Sequence, residues 1–195
     1  MTHRTHRIAV SSLSVGLVLL ALTPAASASL AGYWPFDGDA LDASGTGNNG
    51  TLHGDAGFSA TVPAAIGGGM SLAVDGDGDY VNIPADASLN SNVFTLAYWA
   101  NQNGATQMTG SFERLTSRGG DTFETAVSGD GSVIRYDGAW VNTGYDLPGS
   151  GWAHLAWVSD GSNLSLYVDG ALAHSTASSV SPSGLLRFGA RHNNI

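Results

Sequence analysis

Trp152-Ala-His-Leu-Ala-Trp-Val-Ser-Asp-Gly-Ser-Asn-Leu-Ser-Leu-Tyr-Val-Asp-Gly170 sets two strand-length apolar runs on either side of Asp160-Gly-Ser-Asn163 and closes on Asp169-Gly170. Side chains alternate faces along an extended chain. Leu155 and Trp157 therefore share one face of the first run, and Leu164, Leu166 and Val168 share one face of the second. Asp-Gly pairs supply the local carboxylate and the residue tolerant of positive φ that tight turns need. The stretch predicts a β-hairpin with one buried face.

The same alternation of short apolar segments with Gly, Asp, Asn and Ser clusters runs outward in both directions. It predicts strands at 30–36, 50–53, 70–74, 80–83, 94–100, 112–117, 122–128, 133–136, 152–158, 164–168, 171–175 and 185–189. Turns are expected at Asp75-Gly-Asp-Gly-Asp79, Gly129-Asp-Gly131, Asp137-Gly138, Asp160-Gly161 and Asp169-Gly170. Pro35, which lacks a donor, suits an edge, a bulge or a strand end in the first segment. No window carries a 3.6-residue apolar stripe free of glycine, so almost no α-helix is expected. In 94–100, Phe94, Leu96 and Tyr98 fall on one face and Ala97 and Trp99 on the other, as in a strand covered on both sides.

Composition narrows the function classes. The chain has 195 residues, 43% hydrophobic and 12% charged, with 27 glycines and no cysteine, which suits one well-cored β domain without disulfides or Cys-ligated zinc. Net charge is −9. An acidic surface without lysine argues against nucleic acid or anionic lipid as partner. Residues 1–7 are basic, 8–22 are apolar, and Ala26-Ser-Ala28 is a small-residue cleavage pattern. This predicts a secretory signal peptide over 1–28, a mature domain over 29–195, and an extracellular or periplasmic location without membrane insertion after cleavage. The apolar run is shorter than the roughly 20 residues a spanning helix needs.

Four signals in order carry a family resemblance: Tyr33-Trp-Pro-Phe-Asp-Gly38 with Asp42-Ala-Ser-Gly-Thr-Gly-Asn-Asn-Gly-Thr-Leu52; Met70-Ser-Leu-Ala-Val-Asp-Gly-Asp-Gly-Asp-Tyr-Val-Asn-Ile-Pro84; Phe94-Thr-Leu-Ala-Tyr-Trp-Ala100; and the hairpin ending Leu166-Tyr-Val-Asp-Gly170. Together they resemble the LamG-like jelly-roll domains of the concanavalin A-like lectin/glucanase superfamily, common in secreted bacterial proteins. The resemblance implies an all-β, two-sheet antiparallel jelly-roll sandwich. It also implies a further strand after 185–189, of the form Gly-x-Ile-Asp-Glu-Val, lying near the first strand. Without it the domain is expected to be C-terminally incomplete, with an unpaired edge near 33–36. A structural Ca²⁺ is implied as well, with Asp37 and Asp77 or Asp79 as the positions carried over. Read for itself, Asp75-Gly-Asp-Gly-Asp79 begins like a calcium loop, but position twelve is Asp86 rather than Glu, and a plain β-turn fits equally.

Catalytic patterns are sparse. Hydrolases of the superfamily carry paired acids at period-two spacing, whereas this chain has only Glu113 and Glu124. No Gly-x-Ser-x-Gly elbow is present. Residues 136–145, read as a loop, hold Trp140 and Tyr145 beside Asp137 and Asn142. That combination suits a sugar platform, although both rings could equally pack on the sandwich. The expected function is a secreted non-catalytic module that binds carbohydrate or a surface glycoconjugate. The alternatives are an adhesive protein whose partner is another protein, and a glycan-active hydrolase or lyase.

Overall fold

The computed structural model describes residues 29–75, 77–102 and 112–191. The proposed signal segment 1–28 lies outside them. Among the described residues thirteen strands run in order: β1 Thr51–His53, β2 Gly57–Ser59, β3 Ser71–Ala73, β4 Tyr80–Ile83, β5 Val93–Ala100, β6 Glu113–Arg118, β7 Glu124–Val127, β8 Ser132–Tyr136, β9 Trp140–Asp146, β10 Ala153–Asp160, β11 Asn163–Val168, β12 Ala171–Ala177 and β13 Leu186–Phe188. All pairings are antiparallel. A seven-stranded sheet in the order β1-β4-β13-β6-β7-β8-β9 faces a four-stranded sheet in the order β12-β11-β10-β5, and β2 pairs with β3 alone. The fold is a jelly-roll sandwich. Among the described residues the only helical turns are three short 3-10 segments.

The hairpin of β10 and β11 supplies the core of the smaller sheet. Leu155, Trp157, Leu164 and Leu166 are wholly buried against Val127 and Val133 of the larger one and Phe123 just before β7. Each such side chain contributes about 1.5–3 kcal/mol through burial. Polar groups in the interior are satisfied across the gap. The Trp157 indole N–H donates to Tyr98 Oη at 3.2 Å, Tyr98 Oη lies 2.8 Å from Thr125 Oγ1, and Thr125 Oγ1 lies 2.7 Å from Thr116 Oγ1. Burial pushes the Tyr98 phenol up to about 12, so it stays a neutral link in that chain.

Two expectations change. Residues 30–36 form no strand, because Pro35 offers no donor and the neighbouring polar groups go elsewhere. Tyr33 N–H donates to the Asp42 carboxylate at 3.0 Å, Phe36 takes a positive φ of 56°, and Trp34 Nε1 donates to the Asn48 carbonyl at 2.8 Å. The segment caps a second apolar cluster, with Trp34 and Phe36 against Val81, Ile83, Leu186 and Phe188. The strand edge expected near 33–36 is therefore absent; the outer strands of the two sheets are β1, β9, β12 and β5. Residues 136–145, expected as a loop, are instead mostly the β8–β9 hairpin, in which Tyr136 pairs with Trp140 and Ile134 with Asn142.

Candidate functional site

Residues opposed across an antiparallel ladder point to the same face. Glu124 opposes Tyr136, and Tyr136 opposes Trp140. Their face is the outer one, because the adjacent Thr125, Val127 and Val133 point into the sandwich. Arg114 opposes Ala126 and joins this outer face, while Thr116 opposes Thr125 on the inner one. Two residues apart, they would share a face in a regular strand. The register shift between them is a β-bulge that turns Arg114 outward, a common use of bulges.

The result is an open recess of about 100 Å³ lined by Arg114, Asp121, Glu124, Tyr136, Trp140 and Arg191. Arg114 Nε bonds Glu124 Oε2 at 3.1 Å, and its guanidinium carbon lies 5.4 Å from the Phe112 ring centre and 5.1 Å from that of Trp140. Arg191 donates to both Asp121 oxygens, at 3.3 and 2.7 Å, and lies 3.6 Å from Glu124 Oε1. Phe112, Trp140 and Tyr136 adjoin one another, with centroids 4.6 and 5.2 Å apart. The Glu124 side chain is 1% exposed. Burial raises its pKa and hydrogen bonding to Asp121 adds to this, while Arg114 pulls the other way. Farther along the face His53 stacks on Tyr80 at 4.5 Å, and Arg187 lies 4.3 Å from the Tyr80 ring centre.

The residues expected to bind a ligand separate. Trp140 lines the recess, and Asn142, two residues along the same strand, is exposed, its amide oxygen accepting from Gly144 N–H at 2.7 Å. Tyr145 packs against the inter-sheet core instead. Asp137 forms an ion pair with the buried Arg135 and accepts from the Ser178 hydroxyl. Arg114, Asp121 and Arg191 were not singled out from sequence, and Glu124 entered there only as one of two Glu that form no catalytic pair. The bulge and the long separation between Arg191 and its carboxylates hid them.

An acidic cluster lies elsewhere, where Asp55, Asp75 and Asp79 bring one carboxylate oxygen each within 4.8 Å of one another. Asp79, expected as a metal ligand, is among them; Asp37 and Asp77 are not. Asp79 accepts from Asp55 N–H at 2.8 Å and Asp75 N–H at 3.1 Å. Its hydrogen bond with the Asp55 carboxyl lowers its own pKa and raises that of Asp55. Gly54 is required here: its φ is +68°, and a Cβ would sit 2.5 Å from Asp79 Oδ1. Three hard oxygen donors fit Ca²⁺, which takes six to eight, and a cation would relieve the crowding of carboxylates whose oxygens lie within 4.8 Å of one another.

The two facing antiparallel sheets, with a polar and aromatic recess on the larger one, define a lectin-like jelly-roll domain. The chain belongs to the concanavalin A-like lectin/glucanases superfamily, whose family profile matches residues 75–194. Among solved structures, it is similar to domain 4 of AbnA, a GH43 extracellular arabinanase from Geobacillus stearothermophilus, in complex with arabinotriose. The identity is 16%, the TM-score 0.61, and the match covers 78% of this chain and 79% of that one. A weaker likeness, with 13% identity and a TM-score of 0.43, covers 55% of this chain and 34% of a Bacteroides ovatus protein assigned to carbohydrate binding. No curated protein matches the chain by sequence. Among the described residues no helix is long and apolar enough to cross a membrane.

Proposed function

We propose that the protein is a secreted, non-catalytic carbohydrate-binding module that seats a sugar in the outer-face recess and holds a structural Ca²⁺ at Asp55, Asp75 and Asp79. The observation that carries this is the recess itself, in which the Trp140 ring stands beside two guanidinium and two carboxylate groups. Sugar rings present a C–H face that stacks on aromatics and hydroxyls that both donate and accept. The site provides a partner for each. Asp121 is held by Arg191 at 2.7 Å and Glu124 by Arg114 at 3.1 Å.

The similar arabinanase domain makes arabinotriose the first probe, followed by xylo-, galacto- and gluco-oligosaccharides on an array. Wild type is expected to retain at least one of these, and Trp140→Ala, with an unchanged melting temperature, to bind it at least 10-fold more weakly, in line with about 1.5 kcal/mol for a lost stacking contact. Undiminished retention by a folded Trp140→Ala would remove the recess from the proposal. Release of reducing ends by wild type would replace binding with catalysis.

A further inference from the structure

Building on the proposed glycan site, we infer that the recess selects uncharged sugars, taking hydroxyls between its guanidinium and carboxylate groups, and rejects glycans that carry uronate or sulfate. The charges within it are already matched. Arg114 is bonded to Glu124 at 3.1 Å, and Arg191 is bonded through Nε and Nη2 to Asp121 and lies 3.6 Å from Glu124. The Arg114 guanidinium is further held by the Phe112 carbonyl at 3.1 Å and lies against the Phe112 and Trp140 rings.

An incoming sugar carboxylate would have to displace Asp121 or Glu124 to gain a two-pronged contact with arginine. Glu124, 1% exposed, has no water to retreat into. A hydroxyl instead accepts from a guanidinium and donates to a carboxylate without breaking either pair. The two arginines of the lining are matched in number by two acids, and the chain as a whole carries −9, a field that repels polyanions. The recess volume of about 100 Å³ suits part of a single sugar ring.

The test is calorimetric titration of the wild-type protein, and of its Glu124→Gln and Asp121→Asn variants, with two sets of probes at low and high NaCl. One set is neutral (arabinan, galactan, xylan and β-glucan fragments), and the other is anionic (oligogalacturonate, alginate and chondroitin sulfate fragments). Wild type is expected to bind a neutral probe without salt dependence, and every anionic probe at least 100-fold more weakly. Each variant removes one carboxyl from beside the arginines, so a gain of at least 10-fold for an anionic probe is expected, lost at high salt. Asp121 has a φ of +54°, which Asn tolerates, so Asp121→Asn keeps the comparison available should Glu124→Gln not fold. An anionic probe bound as tightly as the best neutral one, or folded variants with no gain for anionic probes, would overturn the inference and leave the glycan site standing. Binding of no probe in either set would overturn the glycan site itself, and the inference with it.

Discussion

Asp42 shows how much one carboxylate organises. It accepts from the backbone N–H groups of Tyr33, Ser44 and Asn48 and from the Thr46 hydroxyl, at 2.7 to 3.0 Å. Burial works against its ionisation, but hydrogen bonds from Ser44, Thr46 and Tyr33 outweigh it and hold the carboxyl well below the usual range. Its contribution to stability is therefore complete above its unfolded pKa of about 3.9, and is lost as pH falls through the depressed folded value. Asp42→Asn should cost about 1–3 kcal/mol in urea unfolding at neutral pH, and the cost should shrink toward strong acid. An equal loss at every pH would contradict this. Asp42 belongs to the motif that drew attention in the sequence, but its four partners do not show there. Asp55 was likewise invisible: it follows Gly54 in an ordinary-looking turn, and only the fold brings it to Asp75 and Asp79.

At the scale of elements, the hairpin of β10 and β11 was legible because burial alternates along it as the apolar pattern does, fully so at Leu155, Trp157, Leu164 and Leu166. Trp157→Ala should cost about 3–5 kcal/mol through the cavity it leaves. Tyr98→Phe, which strips the Trp157 indole of its partner and leaves Thr125 with Thr116 alone, should cost about 1–3 kcal/mol with little change in volume. Melting temperatures of the two variants check the order, and a Tyr98→Phe protein as stable as wild type would show the inter-sheet hydrogen bonds to be idle. The pattern failed where polar strands run on the outer face. Residues 140–146 resemble a loop because Asn142 and Gly144 interrupt them, yet Val141 pairs with Arg135 and the buried Thr143 donates its hydroxyl to the Val133 carbonyl. The bulge in β6 breaks strict alternation, so no count of spacing could place Arg114 and Thr116 on opposite faces.

Across the whole molecule, the sandwich class followed from short strands, turn chemistry and an absence of helical stripes, whereas the recess depends on β6, β7, β8 and β9 together with Arg191 beyond β13. The proposed cation site is separate from that recess in its residues, so the two proposals can fail independently. If Asp55, Asp75 and Asp79 hold Ca²⁺, a hundred-fold excess over Kd should raise the melting temperature by about 5–10 °C, with Asp79→Asn abolishing the rise and Asp37→Asn preserving it. An unchanged melting curve with calcium and with chelator would remove the ion. For the glycan site the most direct measurement is an indole N–H titration by NMR, with the tightest neutral oligosaccharide from the array. Five tryptophans report on the chain, and Trp157, bonded to Tyr98, and Trp34, bonded to the Asn48 carbonyl, serve as internal references. The expected result is a saturable shift of the Trp140 resonance with those of Trp34 and Trp157 fixed; saturation of binding with the Trp140 resonance unmoved would contradict the outer-face site.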